Sequence, residues 1–234
     1  MHHSYRYCCL GQITIKEYTC ISKTMFVLGI DVGIINLGLC LLECDDRYNA
    51  WRLISWKHID ITYMRHKKVM RCDCTLGHSR CISDRIQHVI QEEADMFNTA
   101  DFIIIEQQPP CGHVAVEQLL FAQFRSKAHL VSPVSMHKTY GMRGLDYNER
   151  KEHTRQFFEN SSIIEDNIKT NLCNRERSHD VYDAYMIAEF WLLKKRQEHM
   201  VKPTIQQTNM LEMKSIEQCS TVEDFLAQFA YQTQ

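Results

Sequence analysis

The chain reads as an α/β protein built on one mixed sheet flanked by helices. Three observations lead to that class. Three short apolar runs follow one another before residue 62, with only brief polar turns between them, which is the pattern of an antiparallel meander. A fourth β-friendly run, DFIIIE, comes only after a stretch of helical periodicity. From there to about residue 198 apolar residues recur mostly at helical spacing.

MFVLGIDVG, beginning at Met25, reads as an apolar strand running into a glycine turn, and Met25 is itself a plausible alternative start. Leu37–Glu43 and Trp51–Ile61 are the next two strands, with the turn CDDRYN between them. Residues 62–81 are basic, cysteine-rich and aperiodic, and are expected to form a loop or irregular insert. Ile82–Phe97 is expected to be a helix, with Ile82, Ile86, Val89, Ile90 and Phe97 on one face. DFIIIE ends at Glu106, and Pro109-Pro110 halts it. A helix is expected around Val114–His129, with Val116, Leu120 and Phe124 in one stripe, followed by a short strand in HLVSPVS. Helices over Glu149–Asn160 and His179–Glu198 follow, the second turning Ala184, Ile187, Ala188, Trp191 and Leu192 to a core. The resulting order, β-β-β-α-β-α-β-α-α, is that of a ribonuclease H-like mixed sheet, although periodicity alone supports only α/β. The expected division is an extension at 1–24, a main domain at 25–198 and a tail at 199–234. In the tail, Ser220 and Glu223 form a capping-box signature opening a short amphipathic helix with Val222, Phe225, Leu226 and Phe229.

With 44% hydrophobic and 24% charged residues, the composition is that of an ordinary globular protein. No apolar stretch approaches the roughly 20 residues needed to span a bilayer. The first 20 residues lack a secretory signal, so the eleven cysteines are expected to be thiols or metal ligands rather than disulfides, in an intracellular protein. The net charge of −2 does not mark a nucleic-acid binder, but it hides two basic stretches. Lys57–Arg85 and Arg125–Arg155 each carry seven Lys or Arg against three Asp or Glu. Either cluster alone is also what a solvated surface would carry.

Four carboxylates carry the functional signal. Asp31 closes the first apolar run, Glu106 closes the fourth, and Asp180 and Asp183 share one face at the start of the last helix. Taken singly, Asp31 is equally a turn aspartate, and the helix pair equally suits the positive end of the dipole. Three elements that deliver acid to one sheet edge form a trap for hard divalent cations, which take oxygen ligands and keep waters for a phosphate substrate. Two such ions roughly 3.5–4 Å apart stabilise both the attacking and leaving oxygens of phosphodiester hydrolysis.

GIDVGIINLG, IIIEQQPP, VEQLLFAQFRSKA, SPVSMHK, ERK and HDVYDAYMIAEF occur in this order, and together resemble RuvC-like Holliday junction resolvases of the poxvirus and iridovirus type. The resemblance covers about Met25 to Lys195. It implies a ribonuclease H-like homodimer that nicks a four-way DNA junction symmetrically with Mg²⁺, two ions per site, for which Mn²⁺ can substitute. It implies Asp31, Glu106, Asp180 and Asp183 as metal-binding acids and Lys151 as the lysine at the scissile phosphate. It places Lys138, Arg125, Lys127 and Arg150 against DNA phosphates, and makes the Val114–His129 helix the dimer surface. His179, beside Asp180, is either a helix cap or a proton-transfer group. Phe121 and Phe124 are expected in the core rather than as base wedges.

Cys72, Cys74, His78 and Cys81 offer four zinc-type donors in ten residues, although the spacing departs from paired C-x-x-C knuckles and thiols in a basic insert are the plainer expectation. Rival functions are another ribonuclease H-like nuclease acting on RNA–DNA hybrids or duplex ends, and a junction-binding scaffold without activity. A third is an ATPase of the actin and heat-shock-70 type, disfavoured by the lack of a second glycine-rich phosphate loop. Whether a viral protein of this type would act in the nucleus or the cytoplasm stays open, since the basic run His66–Lys68 is too short to be a nuclear signal.

Overall fold

The computed structural model describes residues 23–61, 81–173 and 178–217. Five strands form one sheet: β1 (Met25–Asp31), β2 (Leu37–Cys44), β3 (Trp51–Ile59), β4 (Phe102–Glu106) and β5 (Ala128–Val131), in the order β3-β2-β1-β4-β5. The first three are an antiparallel meander, and β4 and β5 run parallel to β1. The mixed ribonuclease H-like sheet is therefore the observed architecture.

Both faces of the sheet are covered, which explains the nearly continuous apolar runs. On one face Val27, Cys40, Leu42 and Ile104 pack with Tyr182, Tyr185 and Trp191; on the other Leu28, Ile30, Leu39, Ile103 and Ile105 pack with Ile86, Phe97 and Leu120. The second face is roofed by α1 (Ile82–Glu92), α2 (Ala94–Thr99) and α3 (Val114–Gln123). The first is roofed by α5 (Tyr147–Asn160) and α7 (His179–Glu217), with α4 (Pro133–Thr139) and α6 (Asp166–Cys173) between β5 and α7 in the chain. Phe124 stacks on Phe97 at 4.9 Å between ring centroids, so it is the core residue its spacing implied.

Several elements depart from expectation for identifiable reasons. The helix expected over Ile82–Phe97 breaks at Glu93 into α1 and α2. The helix expected to reach His129 stops at Gln123, because Ile103 N–H donates to the Lys127 carbonyl and draws Ala128 into register beside β4. The segment read as a strand past Val131 turns helical at Pro133, whose fixed φ and missing N–H suit the first turn of α4. Asp146 and Glu149 form a full capping box that starts α5 at Tyr147. The helix expected to end at Glu198 continues past Pro203 to Glu217. The Ser220–Glu223 signature lies outside the described residues, as do Cys72, Cys74 and His78 of the candidate zinc set; Cys81 is exposed at the N-cap of α1. Among the described residues, no helix is long and apolar enough to cross a membrane.

Candidate metal centre and active site

Strand register assembles the site. Asp31 lies opposite Gly38, and Gly38 lies opposite His58 on the other side of β2. Ile30 pairs with Ile105, which brings Asp31 and Glu106 side by side at the C-terminal ends of β1 and β4. Side chains alternate along a strand, so Asp31, Gly38 and Glu106 share a face with Val27, Cys40 and Ile104, the face that α7 covers. His58 joins them through a bulge. Between Leu41 and Leu42 the register of β3 slips by one residue, leaving Ile54 extra and exposed and turning every later β3 side chain to the opposite face.

Glycines let α7 lie directly on this row. A Cβ on Gly29 would stand 2.1 Å from the Ala184 carbonyl oxygen, and one on Gly38 2.1 Å from that of Asp180. The close approach drops Asp180 and Asp183 onto Asp31. The carboxylate oxygens of these three residues lie within 4.8 Å of one another. Glu106 stands beside Asp31 on the neighbouring strand, close enough for its charge to raise the Asp31 pKa.

Such crowding is costly without a cation. Burial raises Asp31 well above the ordinary carboxylate range, and the charges of Asp183 and Glu106 raise it further. Burial likewise raises Glu106 and Asp180. Lys151, from the second turn of α5, is the partial remedy: its ammonium bonds Asp183 Oδ2 and stands 3.8 Å from Asp180 Oδ1. Burial alone would lower the Lys151 pKa, but the charges of Asp183 and Asp31 outweigh it and push it up, so this lysine stays charged. His58 and His179 flank Asp180 at 3.4 Å each, and burial lowers the His179 pKa. Even so, Asp180 Oδ2 is buried and accepts no hydrogen bond. An orphaned carboxylate oxygen inside an all-oxygen donor set fits a hard divalent cation.

The other expected DNA-facing residues divide by location. Lys138 is exposed on α4, directly after β5, at the same sheet edge as the acids. Arg150 precedes Lys151 and donates to the Leu145 carbonyl at 2.6 Å. Arg125 and Lys127 sit before β5, at the opposite end of the sheet. Arg125 stacks over the Phe121 ring at 4.5 Å, and the Lys127 ammonium donates to the carbonyls of Phe97 and Ala100 at 2.8 and 2.7 Å, closing the end of α2. Lys127 is thus spent on the fold.

Sequence reasoning missed His58, His137 and the Gln108–Glu117 pair. His58 carries no local signal, since only the bulge aims it at Asp180. His137 of α4 lies close enough to feel both Arg150 and Asp183, with burial lowering its pKa. Glu117 is 3% exposed in the first turn of α3 and accepts from the backbone N–H of Gln108.

The sequence profile of the family described as poxvirus A22 protein matches residues 25–195, most of the chain. The chain belongs to the poxvirus A22 family. A search of curated protein sequences finds no match. Among solved structures, the fowlpox virus resolvase in complex with its substrate Holliday junction DNA aligns with a TM-score of 0.54 at 15% identity, over 73% of this chain and 98% of that one. The fowlpox virus Holliday junction resolvase in a second crystal structure aligns with a TM-score of 0.53 at 15% identity, over 73% and 99%. The A22-family matched region thus spans the whole sheet, all four acids and Lys151, and the fold it adopts is that of the fowlpox enzyme.

Proposed function

We propose that this protein is a metal-dependent Holliday junction resolvase, an endodeoxyribonuclease that cuts four-way DNA junctions by paired nicks. The observation that carries the proposal is the meeting of Asp31, Asp180 and Asp183 with Lys151 at one sheet edge, with Glu106 beside Asp31, in an A22-family chain folded like a resolvase crystallised with a Holliday junction.

Asp31, Asp180 and Asp183, with Glu106 beside them, would hold the ions; Mg²⁺ is the physiological choice and Mn²⁺ a substitute. Bound there, the metal supplies an activated water and neutralises charge on the phosphate oxygens. The protein's own contribution is arrangement. The Gly29–Gly38 seam fixes the spacing between sheet acids and helix acids. Lys151 is held charged inside the cluster, where an ammonium stabilises the negative charge that grows on phosphorus oxygens during displacement. His58 and His179 limit the rotation of Asp180. Lys138 and Arg150, at the same edge, contact flanking phosphates without reading bases, which suits an enzyme that recognises branched shape. A junction presents two equivalent strands, so paired symmetric nicks call for two copies of the site, in a homodimer.

The test is incubation of the purified protein with a synthetic four-way junction, a linear duplex and an RNA–DNA hybrid, with and without Mg²⁺. Paired, religatable nicks in the junction alone, only with metal, are expected. Cutting of the hybrid alone would refute the resolvase reading.

A further inference from the structure

The carboxylate of Glu106 is held by a side-chain amide, and the hold is built in three layers. Gln108 Nε2 donates to Glu106 Oε2 at 2.8 Å. The other end of the same amide, Oε1, accepts from the backbone N–H of His113 at 3.2 Å. A backbone N–H can only donate, so it fixes which way the amide points and leaves the NH₂ group no choice but to face Glu106. The backbone of Gln108 is in turn held by the Glu117 carboxylate, whose other oxygen accepts from Gln118 Nε2 at 2.6 Å. A buried acid is expensive unless its oxygens are satisfied, and here both oxygens of Glu117 are used. Gly112 completes the frame: a Cβ there would stand 2.9 Å from Gln108 Oε1 and 3.0 Å from Pro109 Cδ.

We propose that Gln108, locked by His113 N–H and Glu117, is a positioning residue that sets the orientation of the Glu106 carboxylate for metal. It occupies Oε2 as a donor and leaves Oε1 as the oxygen free for an ion held with Asp31. Gln108 is positioning rather than catalytic, since it acts only through Glu106. The inference rests on the metal-site reading above but not on the choice of DNA substrate. Outer-shell partners of metal ligands typically change metal affinity by about 10- to 100-fold.

The test uses the full-length protein without DNA. Mn²⁺ binding is followed by titration calorimetry and by the loss of the free-ion paramagnetic resonance signal, for wild type, Gln108→Met and Gln108→Glu. Gln108→Met keeps the length and removes the donor; Gln108→Glu sets a second carboxylate against Glu106. Expected are a roughly tenfold weaker Mn²⁺ affinity for Gln108→Met and a larger loss for Gln108→Glu, with the melting midpoint of the Gln108→Met apoprotein within about 2 °C of wild type. In cleavage assays the Mg²⁺ concentration for half-maximal rate rises for Gln108→Met. Wild-type Mn²⁺ affinity in Gln108→Met overturns the proposal, and so does a loss of affinity matched by a collapse of the melting midpoint. If wild type binds Mn²⁺, Gln108→Met binds it more weakly and neither cuts the junction, the positioning role stands and the resolvase reading falls.

Discussion

Gly38→Ala separates the geometry of the acid cluster from its chemistry. The added Cβ would stand 2.1 Å from the Asp180 carbonyl oxygen and 2.7 Å from its carbonyl carbon, where real contacts essentially never fall below 3.0 Å. The obstacle is helix backbone, which cannot rotate aside. To reach even 3.0 Å, the first turn of α7 must move out by about 0.9 Å, carrying Asp180 directly and Asp183 with it. Catalytic groups hold productive geometry within about 0.5 Å, and a misplacement of about 1 Å costs on the order of 100-fold in rate. Overpacking of this kind costs about 1–3 kcal/mol of stability, which for a domain of this size lowers the melting midpoint by roughly 2–12 °C. The assay is single-turnover cleavage of a four-way junction at saturating protein, run well below the variant's melting midpoint. Junction binding in EDTA is measured in parallel. Cleavage about 100-fold slower with binding retained is expected. Cutting within about threefold of wild type would refute the claim that the glycine seam sets the position of the acids.

Further outcomes are expected. Asp183→Asn abolishes cutting but spares junction binding in a gel-shift assay, because it removes one acid of the proposed metal site and leaves the basic side chains in place. Lys151→Met reduces cutting by a factor on the order of 100 in single-turnover assays, and lowers the metal-free melting midpoint at neutral pH because the carboxylates lose their internal cation. Burial raises Asp31, Glu106 and Asp180, so from the ordinary carboxylate range near pH 4 upward the folded protein binds more protons than the unfolded chain. Metal-free stability therefore falls as pH rises through the raised values; calorimetry at about pH 5 and pH 8 should show the drop, and saturating Mg²⁺ should largely remove it. Lys127→Met costs about 1.5–3 kcal/mol by freeing two carbonyls without changing the salt dependence of junction binding, whereas Lys138→Ala leaves stability alone and lowers the salt slope by about one.

The acids were legible because each stands at the end of a strand or the start of a helix. A carboxylate after FVLGI or DFIII has nowhere to go except the sheet edge, and Asp180 with Asp183 share a helix face by spacing alone. Lys151 became legible only through family resemblance, since one lysine in NERKEH is locally an ordinary helix cation. His58 was hidden because its face depends on a one-residue bulge, and nothing in WRLISWKHI marks where the register slips. The partners of Lys127 were hidden for the opposite reason: a lysine after a helical run looks solvated, while this one donates to two backbone carbonyls about thirty residues upstream. Glu117 at the start of α3 reads as a dipole-matched surface acid, and its burial comes from the Gln108 loop folding over it. Local patterns revealed what a side chain does at the end of its own element, and failed where the partner was backbone from a distant segment.

The split origin of the cluster has a consequence for the protein's first moments. Asp31 is made early, whereas Asp183 is 152 residues away along the chain. At a synthesis rate of about 5–20 residues per second, roughly 8–30 s separate the first acid from the last. During that interval β1 and β4 can pair, but α7 does not yet exist to close the site, so the emerging polypeptide carries no competent nuclease. The site is complete only when the helix that covers the core also delivers the final two acids.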